Sequence, residues 1–163
     1  MSKTKNTVIV GKNSVSKQKA VNSFKCEFAA KSVNESFGRM IAASFVSQLD
    51  PSVGELSDFK TAVSEAVTNC IVHAYRDMPR ENAKIYMSGE YYSDGTVILV
   101  IKDKGCGIAN IEKAMEPLFT TDAANERSGM GFTIMSSFCD KLKVSSAAGK
   151  GTTVTIRKRF SCT

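Results

Sequence analysis

Thr96-Val97-Ile98-Leu99-Val100-Ile101-Lys102-Asp103-Lys104-Gly105-Cys106-Gly107 decides how the rest of the chain is read. An unbroken aliphatic run of strand-forming types predicts a strand buried on both faces, which Asp103 and two glycines end. Just before it, Ser93-Asp94-Gly95 is a strong hairpin turn, so Ile85 and Met87 belong to an antiparallel partner strand. Downstream, 142–146 and 152–160 read as a second strand pair, joined by Ala147-Ala148-Gly149-Lys150-Gly151. Upstream, Phe24, Cys26, Phe28 and Ala30 alternate with Lys25 and Glu27, the period-two pattern of a half-buried strand.

Two helices are expected between that first strand and the hairpin. Ser32-x-x-Glu35 has the form of a capping box, and Val33, Phe37, Met40, Ile41 and Phe45 follow at helical spacing until Asp50-Pro51 stops them. A second box, Ser52-x-x-Glu55, opens a longer helix with Leu56, Phe59, Val63, Ala66, Val67 and Cys70 as its buried stripe. A short helical stretch at Ile111, Ala114 and Met115 leads to Pro117 and a polar loop, and 131–140 reads as another helix. About three substantial helices against five strands, mostly in hairpins, predict an α+β fold with two layers, an α/β sandwich.

The 163 residues are enough for one domain, expected over 23–163, with a mainly aliphatic core: 42% of residues are hydrophobic and none is Trp. The net charge of +6 is carried by Lys3, Lys5, Lys12, Lys17, Lys19 and Lys25, all preceding the first acid, Glu27. The charge therefore describes a basic extension over 1–22, expected to be disordered, and the neutral body gives no reason to expect direct nucleic-acid binding. Five cysteines, an odd number with no pair at C-x-x-C spacing, fit reduced thiols in a cytoplasmic protein. No apolar run approaches the roughly 20 residues of a membrane span, so no membrane partner is expected.

Four patterns could carry chemistry. Glu65 and Asn69 stand four apart on one helix face, where a carboxylate and an amide oxygen can act as general base and magnesium ligand. Asp103-x-Gly105-x-Gly107 after a strand offers a hydrogen-bond acceptor and backbone free to approach a ligand. Arg127-Ser128-Gly129-Met130-Gly131 opens a helix, directing N–H groups and a guanidinium at an anion. Gly149-Lys150-Gly151-Thr152 precedes the last strand. Taken singly, each has an ordinary alternative: a solvated helix face, an Asp/Gly turn, an unliganded helix cap, a hairpin turn. Neither a Walker P-loop nor the G-x-G-x-x-G fingerprint of a dinucleotide-binding domain is present.

In this order, the four patterns together resemble the Bergerat fold, the ATP-binding domain of the gyrase, Hsp90, histidine kinase and MutL superfamily. Val63-Ser64-Glu65-Ala66-Val67-Thr68-Asn69, Glu116-Pro117-Leu118-Phe119-Thr120-Thr121, Glu126-Arg127-Ser128-Gly129-Met130-Gly131-Phe132-Thr133-Ile134-Met135 and Gly149-Lys150-Gly151-Thr152-Thr153-Val154 resemble one branch, the anti-sigma factor serine kinases, in their sporulation type. The likeness spans 24–160 and leaves out the basic extension.

The resemblance implies an ATP-dependent protein serine kinase using ATP and Mg2+. Glu65 would be its catalytic base and Asn69 its magnesium ligand. Asp103, Gly105, Gly107 and Thr152 would serve the adenine, with Arg127, Ser128, Gly129, Met130 and Gly131 on the phosphates and 108–128 as nucleotide lid. It implies as partners a sigma factor, an anti-anti-sigma protein that is phosphorylated, and a second copy of the chain in a homodimer, with Arg39 in partner contacts. By residue chemistry alone, Arg39 reads as a solvated side chain. For His73, the only histidine, a structural or partly exposed role is expected in place of catalysis, since in the resemblance Glu65 would already fill the base position. Readings from other classes are a nucleotide-dependent binding module without kinase activity, a general-stress anti-sigma kinase and a detached histidine kinase domain.

Overall fold

The computed structural model describes residues 6–11, 18–76, 78–116 and 129–161. They form a six-stranded antiparallel sheet with helices on one face, the two-layer α+β sandwich read from the sequence. The strands are β1 (Asn6–Gly11), β2 (Asn22–Ala29), β3 (Lys84–Tyr91), β4 (Thr96–Asp103), β5 (Lys141–Ser146) and β6 (Thr152–Arg159). Their order across the sheet is β1-β5-β6-β4-β3-β2. The helices are α1 (Glu35–Val46), α2 (Val53–Asn69), α3 (Ile111–Ala114) and α4 (Gly131–Ser137).

The helical layer packs on alternate residues of the strands. Ile85 and Met87 of β3, Val97, Leu99 and Ile101 of β4, and Val154 and Ile156 of β6 meet Phe59, Ala62, Val63, Ala66 and Val67 of α2 in one apolar core. Phe160, just past β6, packs edge to face on Phe59 with ring centroids 5.4 Å apart. The capping box of α2 forms in full, with the Ser52 hydroxyl accepting from the Glu55 N–H while the Glu55 carboxylate accepts from the Ser52 N–H. Glu55 also accepts from the Ser161 N–H, fastening the C-terminal segment to the start of α2. The Ser161 bond, then those of Ser52, lower the Glu55 carboxyl to about 2.

Five expectations need correction. The disordered extension over 1–22 does not hold for Asn6–Gly11, where β1 pairs with β5 along its length; the Val8-Ile9-Val10 run satisfies strand patterning despite the surrounding lysines. The first capping box does not form, because Ser32 lies inside a single 3-10 turn, Ser32–Asn34, and the Glu35 carboxylate is held by Arg39 at 2.8 Å. The apolar stripe expected for the first helix points partly outward: Val33, in the turn before α1, and Phe37 and Met40 are exposed, whereas Phe45 is buried as expected, along with Gly38, Ala42, Ala43 and Val46. β4 is fully covered on one face only, since a two-layer fold leaves Ile98 and Val100 half-buried and Lys102 exposed. Helix α4 stops at Ser137, short of the expected 140. Cys26, Cys70, Cys106 and Cys139 are free thiols, as expected. Among the described residues no helix is long and apolar enough to cross a membrane.

Candidate functional site

Antiparallel register brings the chemistry-bearing strand ends into one row. Lys102 of β4 faces Thr153 of β6, so Asp103 ends beside Thr152, and Thr152 in turn faces Ser146 at the end of β5. This row borders a cavity of about 610 Å3, within the range of small-molecule sites. Its walls include Glu65, Asn69 and His73 from the α2 side, Asp103 and Thr152 from the sheet, Gly107 to Asn110 and Lys113 before and in α3, and Gly129, Met130 and Gly131 at α4.

Asp103 is buried yet borders the cavity. Its Oδ1 accepts from the N–H groups of Gly105 at 2.9 Å and Thr152 at 3.1 Å, while Oδ2 accepts from the Cys70 thiol at 3.8 Å. Burial raises its carboxyl above the usual range, and the two N–H bonds work against that rise. The same burial, with the neighbouring Asp103 charge, pushes the Cys70 thiol well up, so Cys70 stays a protonated donor. These bonds fix the Asp103 side chain in one orientation at the cavity wall.

The turn after Asp103 is packed from both sides. A Cβ at Gly105 would collide with the Ala74 carbonyl, and one at Gly107 (φ +70°) with the Ala147 carbonyl. The Cys106 N–H donates to Ala74 at 2.7 Å, and the Gly149 N–H donates to the Cys106 carbonyl at 2.6 Å. Gly105 is thus required by backbone packing, and Gly107 borders the cavity.

Glu65 and Asn69 end α2, whose buried Ala66 and Val67 anchor this turn to the core. An ideal Cβ at Gly131 would lie 3.0 Å from Glu65 Oε2 and 3.5 Å from both polar atoms of the Asn69 amide. Both side chains therefore reach the start of α4, and a glycine there leaves room for them. Beyond Asn69 the helix widens into a π-turn, Cys70–Ala74, of the kind frequent at functional sites. That widening puts His73 in the wall, together with Arg76 and Lys113.

Among the described residues no group of three His, Cys, Asp or Glu could hold a metal ion by itself. The oxygens of Glu65 and Asn69 fit a magnesium ion that takes one or two protein ligands and completes its shell with phosphates and water. Arg39 is placed elsewhere, on α1, donating to Glu35 at 2.8 and 3.2 Å and to the Ser64 hydroxyl at 3.2 Å. Arg127, Ser128 and the rest of 117–128, expected to belong to a lid, lie outside the described residues.

Sequence reasoning missed Ser146 and Tyr75. The buried Ser146 hydroxyl accepts from the Ile108 N–H at 2.8 Å, donates to the Gly151 carbonyl at 2.9 Å and lies 3.0 Å from Thr152 Oγ1. The Tyr75 hydroxyl accepts from the Lys104 N–H and donates to the Lys84 carbonyl, holding the far side of the same turn. A serine closing a strand and a tyrosine closing a helix carry no pattern that marks them in the sequence.

A family model described as "Histidine kinase-like ATPase domain" matches residues 28–158. An anti-sigma F factor of Clostridium beijerinckii is 51% identical over 140 residues, 86% of this chain and 96% of that protein. One from a Geobacillus species is 54% identical over 137 residues, 84% of this chain and 92% of that protein. The chain belongs to the anti-sigma F factor family. Solved structures extend the likeness at the level of fold. A Mycobacterium tuberculosis structure described as containing RsbU and RsbW domains aligns with a TM-score of 0.58 at 15% identity, over 86% of this chain and 33% of that one. The histidine kinase domain of an Erythrobacter litoralis blue-light activated histidine kinase gives 0.51 at 17% identity, over 91% of this chain and 66% of that one. The family read from the four motif strings is the family found.

Proposed function

We propose that the chain is a protein serine kinase that uses ATP, inhibits a sigma factor, and inactivates an anti-anti-sigma protein by phosphorylating it. The observation that carries this reading is the convergence of Glu65, Asn69, Asp103, Gly107, Gly129, Met130, Gly131 and Thr152 on one cavity of nucleotide size. At its sheet end Asp103, anchored by two N–H groups, accepts from the amino group of the adenine, and Thr152 beside it supports that contact. At its α4 end the backbone of residues 129–131, with Arg127 and Ser128, receives the phosphates.

A magnesium ion held by Asn69 and the phosphates would neutralise charge developing on the transferred group. Glu65, at the same end of α2, takes the proton from the incoming serine hydroxyl. Positioning and charge neutralisation are what phosphoryl transfer chiefly demands, and both are built from α2, β4, β6 and α4. The resemblance assigns residues 108–128 to a lid over the nucleotide. The exposed Phe37 and Met40 on α1, with Val33 in the turn before it, are the apolar surface of a homodimer, and Arg39 on the same helix contacts the protein partners.

The test is incubation of the chain with ATP, magnesium and a candidate anti-anti-sigma protein, with the product read by mass spectrometry. Phosphoserine on the partner is expected. Nucleotide binding with no transfer to any partner would replace the kinase by a nucleotide-dependent binding module, and acid-labile phosphohistidine would replace it by a histidine kinase domain.

A further inference from the structure

β1 lies outside the family match, which begins at residue 28, and the proposed chemistry assigns it no part. Its position is nevertheless specific. Asn6 faces Ser146, Thr7 faces Ser145 and Val8 faces Val144, so β1 starts on the row that holds Asp103, Thr152 and Ser146. The Thr7 and Ser145 hydroxyls are 2.8 Å apart, and Val8 packs against the core. The Asn6 amide donates to the Ala109 carbonyl at 3.4 Å, and β1 packs against α3.

The Asn6 bond and the packing on α3 bear directly on the cavity wall. Ile108, Ala109, Asn110, Lys113 and Ala114 line the cavity. From the sheet this segment is held by Ser146, through the Ile108 N–H, and by the Asn6 side chain, through the Ala109 carbonyl. Without β1, β5 is the edge of the sheet, with one row of its backbone groups facing water. A wall supported by an unpaired edge strand samples displaced positions, and affinity falls in proportion to the fraction of chains in the binding-competent state.

We propose that β1 is a positioning strand that braces residues 108–114 and the Ser146–Thr152 pair, and so sets the affinity of the cavity for its nucleotide. The inference rests on the ATP-binding reading of the cavity, and its test separates the two.

The test uses the full chain and two variants, Val8→Pro, which puts a proline in the middle of the strand paired with β5, and Thr7→Val, which removes only the hydroxyl pair; Thr7→Ser is the conservative control. Hydrogen exchange without nucleotide reports on the brace alone, and titration with ATP and magnesium reports on affinity. Exchange at 108–114 and 141–146 is expected to rise at least tenfold in Val8→Pro while the amides of α2 stay protected. ATP affinity is expected to fall about tenfold in Val8→Pro, and less in Thr7→Val. Thr7→Ser is expected to match the parent chain. Unchanged exchange at 108–114 in Val8→Pro overturns the brace, as does increased exchange with ATP affinity unchanged within twofold. If the parent chain binds no ATP, the nucleotide reading fails; the brace is then judged by exchange alone, upheld by faster exchange at 108–114 and overturned by none.

Discussion

Asp103→Asn separates the acceptor role of this residue from its role in the fold. Asn is nearly isosteric, and its carbonyl oxygen can take over the N–H groups of Gly105 and Thr152, at 2.9 and 3.1 Å in the parent. Its amide nitrogen then occupies the Oδ2 position, where the Cys70 thiol rotates away, at the cost of one weak bond. Because burial already raises the Asp103 carboxyl, removing the charge costs the fold little, and stability is expected to stay within about 1.5 kcal/mol of the parent. For the ligand the change is larger. A charged acceptor facing the adenine amino group becomes a donor facing a donor. Losing a hydrogen bond to a charged group is worth about 1.5–3 kcal/mol, a fall of roughly 10- to 100-fold in ATP affinity. The same amide faces the carbonyl of a guanine favourably, so the preference for ATP over GTP is expected to shrink. Calorimetric titration with each nucleotide, beside a urea unfolding curve, measures both effects. ATP affinity unchanged within twofold, in a variant of parental stability, refutes the assignment of Asp103 to the base.

Glu65→Gln keeps the shape beside Gly131 and is expected to retain ATP affinity within about threefold while slowing transfer by about 100-fold or more, measured by phosphoserine formation. Glu55 carries a carboxyl lowered to about 2 by the N–H groups of Ser161 and Ser52, so its contribution is complete above the ordinary carboxyl value of 4.5 and is lost as pH falls toward 2. Glu55→Ala should therefore lower the urea midpoint at pH 7 by the equivalent of about 1 kcal/mol, and the difference from the parent should narrow below pH 4. Phe59→Ala opens a void beside Phe160 in a fully buried position and is expected to cost about 3–5 kcal/mol in the same assay.

What could be read from the chain depended on whether the signal was local. Ser52 and Glu55 are three apart and cap their own helix, so pattern and structure agree. Ser32 and Glu35 have the same spacing, but the chain turns through Ser32–Asn34 before the helix begins and Arg39 captures the carboxylate. On α1 the large apolar residues suggested the buried side; Phe45 is buried as they predict, but Phe37 and Met40 are exposed, and Gly38 is the residue that faces α2 and the sheet, where a Cβ would meet Phe28, Val67 and Met87. The run in β4 shows a strand clearly and cannot show how many layers cover it. β1 was hidden by its flanking lysines, since strand pairing depends on a partner, β5, more than 130 residues away. Of the candidate site, Glu65, Asn69, Asp103, Gly107, Gly129, Met130, Gly131 and Thr152 were all read before their convergence was visible. Ser146 was not, because a hydroxyl bonding to Ile108 and Gly151 is defined by three separate segments meeting.

The most direct measurement is a crystal structure of the chain with magnesium and a non-hydrolysable ATP analogue. The account predicts the adenine amino group within hydrogen-bond distance of Asp103, the phosphates against the backbone of residues 129–131, and Asn69 on the metal. A nucleotide bound anywhere else, or one bound in this cavity with its phosphates at Asp103 and its base at α4, would contradict it.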